Sequence, residues 1–309
     1  MTKQTLKHIS NDGVPIYCQI WQDESRPCRG LLQIVHGYAE WVDRYDEFAT
    51  FMAQHGFLVF GEDHRGHGQT QQRKDRVIHF ADKNGFELVV EDNHSLLNMV
   101  RKLHHGIPVF LFGHSMGSFL SRRYIQLYGS EFNGVILSGT GNNPLSVLKF
   151  GHSMAMLHIR LHGAQHPDVM LTGMMFGQLN AGFRHSKTGL DWVCTRPEVV
   201  NAYYEDERRG KIASSGFIRD FTEGMIKVQT PALIEQVPKS LPVLFASGEE
   251  DPVGGKKAYG VHEAYTAMQT AGITDVSIKI YPGDRHEILN ETNRAEVSQD
   301  ILDWINEHM

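Results

Sequence analysis

Short apolar runs recur along this chain at residues 5–9, 15–21, 30–35, 57–61, 108–112, 134–138, 242–246 and 276–281. The first two lie close together and predict an antiparallel pair. The later runs are nearly continuous apolar strings, the pattern of strands covered on both faces. Between them, apolar residues return at helical spacing. Trp41, Tyr45, Phe48, Ala49 and Met52 share one face. Val297, Ile301, Trp304 and Ile305 share another near the C-terminus, where Asn293 and Glu296 read as a capping box. Strand alternating with helix predicts an α/β fold, with a mostly parallel sheet and helices on both faces.

The alternation stops between about residues 141 and 216, where no strand pattern is visible. That segment reads as a helical insertion after the sixth strand, lying over the sheet as a cap. The chain then divides into a core, residues 1–140 and 217–309, and a cap, residues 141–216. The cap carries Met154, Met156, Met170, Met174 and Met175, with Phe150, Phe176 and Phe183. Two compatible readings stand for these side chains. They pack cap onto core, or they form a pliable wall for an acyl chain, because methionine adapts to irregular shapes. Met154, Met174 and Phe176 are the candidate substrate contacts among them.

One stretch in this frame carries chemistry. The apolar run ending at Phe112 leads into Gly113-His114-Ser115-Met116-Gly117, and a helical pattern then runs towards Tyr128. Gly-x-Ser-x-Gly at a strand-to-helix turn lifts one hydroxyl clear of the backbone, where it can attack a carbonyl. A Cβ at Gly113 or Gly117 is expected to crowd so tight a turn. The motif alone is weak evidence, and the chain holds a decoy, Phe150-Gly151-His152-Ser153-Met154-Ala155. The decoy sits in a helical pattern and lacks the second glycine. Ser115 is therefore the candidate nucleophile.

A serine nucleophile needs a base, and the base needs an orienting acid. The loop after the seventh strand contains Glu249, Glu250 and Asp251; the loop after the eighth contains His286. In a parallel sheet these loops share one edge with Ser115, the edge where ligands bind. Asp251 is preferred as the acid, with Glu249 and Glu250 as rivals that read as solvated loop charges. The order Ser115, Asp251, His286 is that of a serine hydrolase built on a strand-turn-helix elbow. A developing oxyanion needs fixed N–H donors. Met116, opening the helix, offers one. The loop after the third strand offers another at Tyr38, with Gly37 letting the backbone turn.

Composition narrows the partners. Net charge is −6, from 30 basic and 36 acidic residues without long runs of one sign, which argues against nucleic acid. The three cysteines, Cys18, Cys28 and Cys194, fit neither a disulfide framework nor a zinc pattern. The 18 histidines lack metal-ligand spacing; His104 and His105 are adjacent on an expected helix and point apart. No metal or organic cofactor is expected. Met1-Thr2-Lys3-Gln4-Thr5 carries no apolar signal region, and no apolar stretch is long enough to span a bilayer. A cytoplasmic protein is expected.

The set His36-Gly37, Asp63-His64-Arg65-Gly66-His67-Gly68, Gly113-His114-Ser115-Met116-Gly117, Asp251-Pro252-Val253-Gly254 and Arg285-His286-Glu287-Ile288-Leu289-Asn290-Glu291 resembles the α/β-hydrolase superfamily. Within it the chain is similar to the monoacylglycerol lipase and lysophospholipase branch, grouped with the serine aminopeptidases. The resemblance is weakest in residues 141–216. It implies an eight-stranded, mostly parallel sheet with a helical cap after strand 6. It also implies a Ser115–His286–Asp251 triad, an oxyanion hole at Tyr38 and Met116, and Gly37 and His114 beside the substrate. The implied activity is ester hydrolysis of monoacylglycerols or lysophospholipids. Transient membrane contact through the cap and the oligomeric state stay open. Thioester cleavage and aminopeptidase action use the same triad; the latter needs an acidic pocket, for which Glu205, Asp206 and Glu207 are candidates. A non-catalytic binder is the remaining alternative.

Overall fold

The computed structural model describes residues 1–183 and 188–309. Its strands are β1 (Thr2–Ile9), β2 (Pro15–Gln22), β3 (Gly30–Val35), β4 (Phe57–Glu62), β5 (Val109–His114), β6 (Gly134–Ser138), β7 (Val243–Gly248) and β8 (Val276–Tyr281). They form one eight-stranded sheet in the order β1-β2-β4-β3-β5-β6-β7-β8. The β1–β2 and β2–β4 pairings are antiparallel and the rest are parallel.

The helices are α1 (Asp46–Gln54), α2 (Gly85–Arg101), α3 (Met116–Tyr128), α4 (Leu145–His162), α5 (Val169–Phe176), α6 (Pro197–Glu205), α7 (Ser215–Val228), α8 (Pro231–Ile234), α9 (Tyr259–Thr270) and α10 (Arg294–Glu307). The continuous apolar strands are explained by burial on both faces. Leu31, Leu111 and Phe245 join one apolar cluster with residues of α2, α3, α7 and α9. Leu32, Phe110 and Leu244 join another with residues of α1 and α10. Successive strand residues alternate faces, so both faces are mostly apolar, and the buried Gln33 of β3 is matched by donating its amide to Asn93 O at 2.8 Å.

Between β6 and β7 the chain runs through α4, α5 and α6 before α7 returns it to the sheet. No described residue from 141 to 216 lies in a strand; only isolated bridges occur, Pro167 with Ser214 and Ala213 with Ile78. The helix α4 packs along α7. Ser214 starts α7 by accepting the Phe217 N–H at 3.0 Å.

Several local expectations are corrected. β5 continues through His114, because pairing with β6 extends to His114↔Ser138, and Pro108 has no N–H to start the strand. The face from Trp41 to Met52 is split: Val42–Tyr45 is a 3₁₀ turn, and α1 begins at Asp46. Asn293 does precede α10, but it makes no capping bond; its φ of −91° and ψ of 15° are not the extended conformation a side-chain cap uses. α2 ends at Arg101, so His104 and His105 lie in the turn beyond it.

Candidate active site

Ser115 follows the last residue of β5 and precedes the first of α3. Its φ is 54° and its ψ −123°, a conformation that costs a non-glycine residue roughly 1–3 kcal/mol. Its surroundings hold it there. The Ser115 N–H donates to Ser138 O at 2.9 Å, and Ser118 Oγ donates to Ser115 O at 2.6 Å. The flanking glycines are required by contact. A Cβ on Gly113 would lie 2.3 Å from Ser121 Oγ, and one on Gly117 would lie 1.9 Å from Val35 O. Ser153, the decoy, is on α4 with its hydroxyl donating to Lys149 O.

His286 and Asp251 are brought together by the loops after β8 and β7. His286 Nδ1 is 2.9 Å from Asp251 Oδ2, and Asp251 Oδ1 accepts the Val253 N–H at 2.9 Å. Both residues are buried, whereas Glu249 and Glu250 are exposed. Burial works against a charged imidazole, but the adjacent Asp251 carboxylate outweighs it and leaves His286 above its ordinary value. The His286 ring lies between neighbours, with ring centres at 4.8 Å for Trp192 and 4.6 Å for His114. The chain is held from the stretch between α5 and α6: the Glu287 N–H donates to Val193 O at 2.8 Å.

Ser115 and His286 line one cavity of about 380 Å³, a size suited to a small organic ligand. Among the described residues Ser115 Oγ is not hydrogen-bonded to the imidazole. Such bonds often tighten only when substrate is bound. Another Ser–His–Asp series is fully hydrogen-bonded, with Ser214 Oγ 2.8 Å from His79 Nδ1 and Asp82 3.1 Å from its Nε2. Ser214 is a helix cap that lines no part of the cavity, so connectivity alone does not make a site.

The loop after β3 reaches the same place. A Cβ on Gly37 would lie 3.0 Å from Ser115 Cβ. Neither the Tyr38 N–H nor the Met116 N–H is hydrogen-bonded among the described residues. Ala39, next in the loop, has a φ of 63°. The loop is braced from behind. His36 Nε2 accepts the His64 N–H at 3.0 Å, so the ring proton sits on Nδ1, 2.8 Å from Gly37 O. Burial keeps His36 and His64 well below their ordinary values and therefore neutral. Asp63 accepts the N–H groups of Val42 and Gln69, and Arg65 joins Asp92 to Asp12. The Asp-His-Arg-Gly-His-Gly stretch is thus a brace beneath the loop.

A buried ion cluster closes one side. Arg44 binds Glu40 at 2.9 Å and grips both oxygens of Glu287. Gly37 N–H and Tyr45 OH also donate to Glu40. Sequence reasoning missed Arg44, Glu287, Trp192 and Tyr203, because no local pattern joins residues so far apart in the chain.

Gly37, His114, Met174 and Phe176 line the cavity as expected. Met154 does not: it lies on the inner side of α4 and packs against the main core. Glu205, Asp206 and Glu207 do not line it either, and Asp206 is paired with Arg208. The acidic pocket expected of an aminopeptidase is not formed by them.

A family model described as serine aminopeptidase, S33, matches residues 26–293. The chain is 29% identical over 303 residues to a monoacylglycerol lipase of Mycolicibacterium smegmatis, covering 96% of this chain and 95% of that protein. It is 27% identical over 305 residues to the monoglyceride lipase of Rattus norvegicus, covering 98% and 89%. The structure is similar to that of a thermostable carboxyl esterase from Bacillus coagulans, at 28% identity and a TM-score of 0.88, covering 99% of each chain.

Proposed function

The chain belongs to the serine aminopeptidase S33 family of α/β-hydrolases, and on that premise we propose that it is a serine hydrolase of lipid carboxylic esters. The observation that carries this reading is the strained Ser115 elbow opening into the same cavity as the bonded His286–Asp251 couple. In the proposed reaction His286 Nε2 takes the Ser115 proton as Oγ attacks the ester carbonyl. Asp251 fixes the proton on Nδ1 and stabilises the imidazolium. The N–H groups of Tyr38 and Met116 hold the oxyanion, each contributing about 3 kcal/mol. His286 then protonates the departing alcohol, and water repeats the sequence to release the acid.

The walls support an acyl chain as the bound group. Phe119, Leu148, Leu171, Met175, Ile218 and Phe221 are among the residues that line the cavity. At the mouth, Val147, Phe150 and Met174 line the cavity yet stay 61%, 56% and 52% exposed. An apolar rim of this kind suits a lipid arriving from an aggregate or membrane surface. We read residues 141–216 as the cap that supplies it. No helix among the described residues is long and apolar enough to cross a membrane. Among the described lining residues the carboxylates are Glu40 and Glu287, and both are hydrogen-bonded to Arg44, which disfavours the peptidase alternative.

The test is Ser115→Ala with monoacylglycerol and p-nitrophenyl butyrate. Turnover should vanish while the melting temperature holds, and a fluorophosphonate should label Ser115 in the parent protein only. Retention of more than about a tenth of the activity would remove Ser115 from the mechanism, since triad members act as a unit.

A further inference from the structure

The charged lining of the cavity is unevenly matched. Its carboxylates, Glu40 and Glu287, are both bound by Arg44. Its cations, Arg209 and Lys211, form no ion pair with a described residue, and Arg209 Nε is buried without a hydrogen-bond partner. Arg209 is positioned without being neutralised: its guanidinium lies 5.7 Å from the Tyr203 ring centre and 5.2 Å from that of Tyr204. Cation–π contacts fix a guanidinium while leaving its N–H groups free to donate.

This segment also sits against the loop that carries Tyr38. A Cβ on Gly210 would lie 2.4 Å from Ile78 Cδ1 and 3.7 Å from Ala39 Cα. Tyr203 OH reaches Ala39 O at 3.4 Å. The Tyr38 ring stacks on Phe176 at 4.2 Å, and its hydroxyl is a further buried donor without a partner. Unsatisfied buried donors cost about 1–3 kcal/mol each, more when charged, so a cavity that keeps two of them, Arg209 Nε and Tyr38 OH, is shaped for an acceptor. A guanidinium, an ammonium and a phenol lining one cavity match an oxyanion with several acceptor atoms, and arginine is the residue whose fork fits phosphate.

We propose that Arg209, Lys211 and the Tyr38 hydroxyl form a subsite for a phosphate carried on the alcohol portion of the ester, as in an acylglycerol phosphate. The subsite rests on the ester-hydrolase reading for its role in turnover, but not for its ability to bind. The acyl chain would lie along the apolar wall, and the phosphate at the Tyr38 hydroxyl and Arg209, the Tyr38 ring being held by its stack on Phe176. A neutral glycerol would satisfy some of the donors and none of the charge.

Binding of two non-hydrolysable ether lipids tests this, hexadecylglycerol ether and its phosphate monoester, each measured by calorimetry below its micelle concentration. The phosphate lipid should bind the parent protein about tenfold or more tightly than the neutral one, since hydrogen bonds between ionised groups are roughly twice as strong as neutral ones. R209Q with K211Q should reduce that preference to about twofold. Lys211 is exposed, so K211Q alone gives a folded variant in which a partial loss is expected. Equal affinities in the parent protein, or a preference that survives both substitutions, would overturn the subsite. Fluorophosphonate labelling of Ser115 in the same preparations separates the two claims. Intact labelling without phosphate preference removes the subsite alone; a preference without labelling keeps the subsite and removes the hydrolase reading.

Discussion

Asp251→Asn is the sharpest perturbation of the proposed mechanism, because it removes one charge and almost no volume. Asp251 Oδ1 already accepts the Val253 N–H at 2.9 Å, so the asparagine oxygen is drawn to that donor. Its amide nitrogen then replaces Oδ2, 2.9 Å from His286 Nδ1. An amide NH₂ only donates, so Nδ1 must become an acceptor and the ring proton moves to Nε2. The face turned to the cavity then offers an N–H where Ser115 needs a lone pair. The same change in a serine protease costs about 10⁴ in kcat, equivalent to about 5.5 kcal/mol of barrier. The pH profile adds an independent readout. In the parent protein Asp251 outweighs burial and holds His286 above the ordinary 6.5, so kcat/KM should rise with pH through a midpoint above that value. In D251N burial remains and the attraction is gone, so the residual activity should titrate below it. The stability linkage has a defined sign. A raised histidine stabilises the fold fully below its unfolded value and loses that contribution as pH rises through the folded one. The melting temperature of D251N should therefore fall further below that of the parent protein at pH 5.5 than at pH 8.5, values chosen to lie about one unit below and two above the ordinary histidine range. Stopped-flow or steady-state hydrolysis of p-nitrophenyl butyrate across pH, with thermal melts, measures all three. A kcat loss under about 30-fold, well short of the protease precedent, with an unmoved acid limb, would refute the assignment, most directly if E250Q proved the damaging change.

Gly117→Ala should destabilise the fold by at least about 3 kcal/mol and abolish fluorophosphonate labelling, because the added carbon would lie 1.9 Å from the backbone oxygen of Val35; urea denaturation measures it, and a loss below 1 kcal/mol, about the size of an ordinary substitution, would contradict the contact. Arg44→Met leaves Glu40 and Glu287 buried without their cation and should cost about 3–5 kcal/mol at neutral pH. Burial already raises the Glu40 carboxyl, so acidification should protonate it and narrow the difference from the parent protein; a gap that widens in acid would count against the cluster.

What was legible in the sequence was what is local. The parallel strands announce themselves because both faces are buried, so Leu31 and Leu32 serve different clusters in adjacent positions. The elbow is legible because two glycines, a serine and a strand end are contiguous. The pairing of His286 with Asp251 followed from topology, since parallel strand ends share an edge. The cap was different. Met154 lies on α4 and Met174 on α5, which is apolar almost all round, so sequence does not say which methionine faces the cavity; Met174 does and Met154 does not. Asn293 shows a further limit. Residue type fitted a cap, but the local backbone is not extended there, and the side chain has no N–H to reach.

The buried polar groups around the site gain a common explanation from the loop proposed to hold the oxyanion. In the proposed mechanism Tyr38 presents an N–H that stays unbonded until charge develops on substrate, and Ala39 beside it occupies a left-handed conformation. A loop with an unspent donor and a strained neighbour would relax if its surroundings were soft. Here the surroundings are over-determined. His36 clamps Gly37 O while accepting from His64, Glu40 takes the Gly37 N–H, and Arg44 ties Glu40 to Glu287, next to His286. Burying these groups is expensive, and an apolar packing of equal volume would often be as stable. Their value lies in direction: each hydrogen bond fixes an orientation that apolar contact cannot specify, and the two halves of the proposed machinery, loop and base, share one of them. It follows that substitutions in the brace, at His36 or His64, should depress kcat more than they depress stability, whereas an equal apolar loss elsewhere in the core should do the reverse.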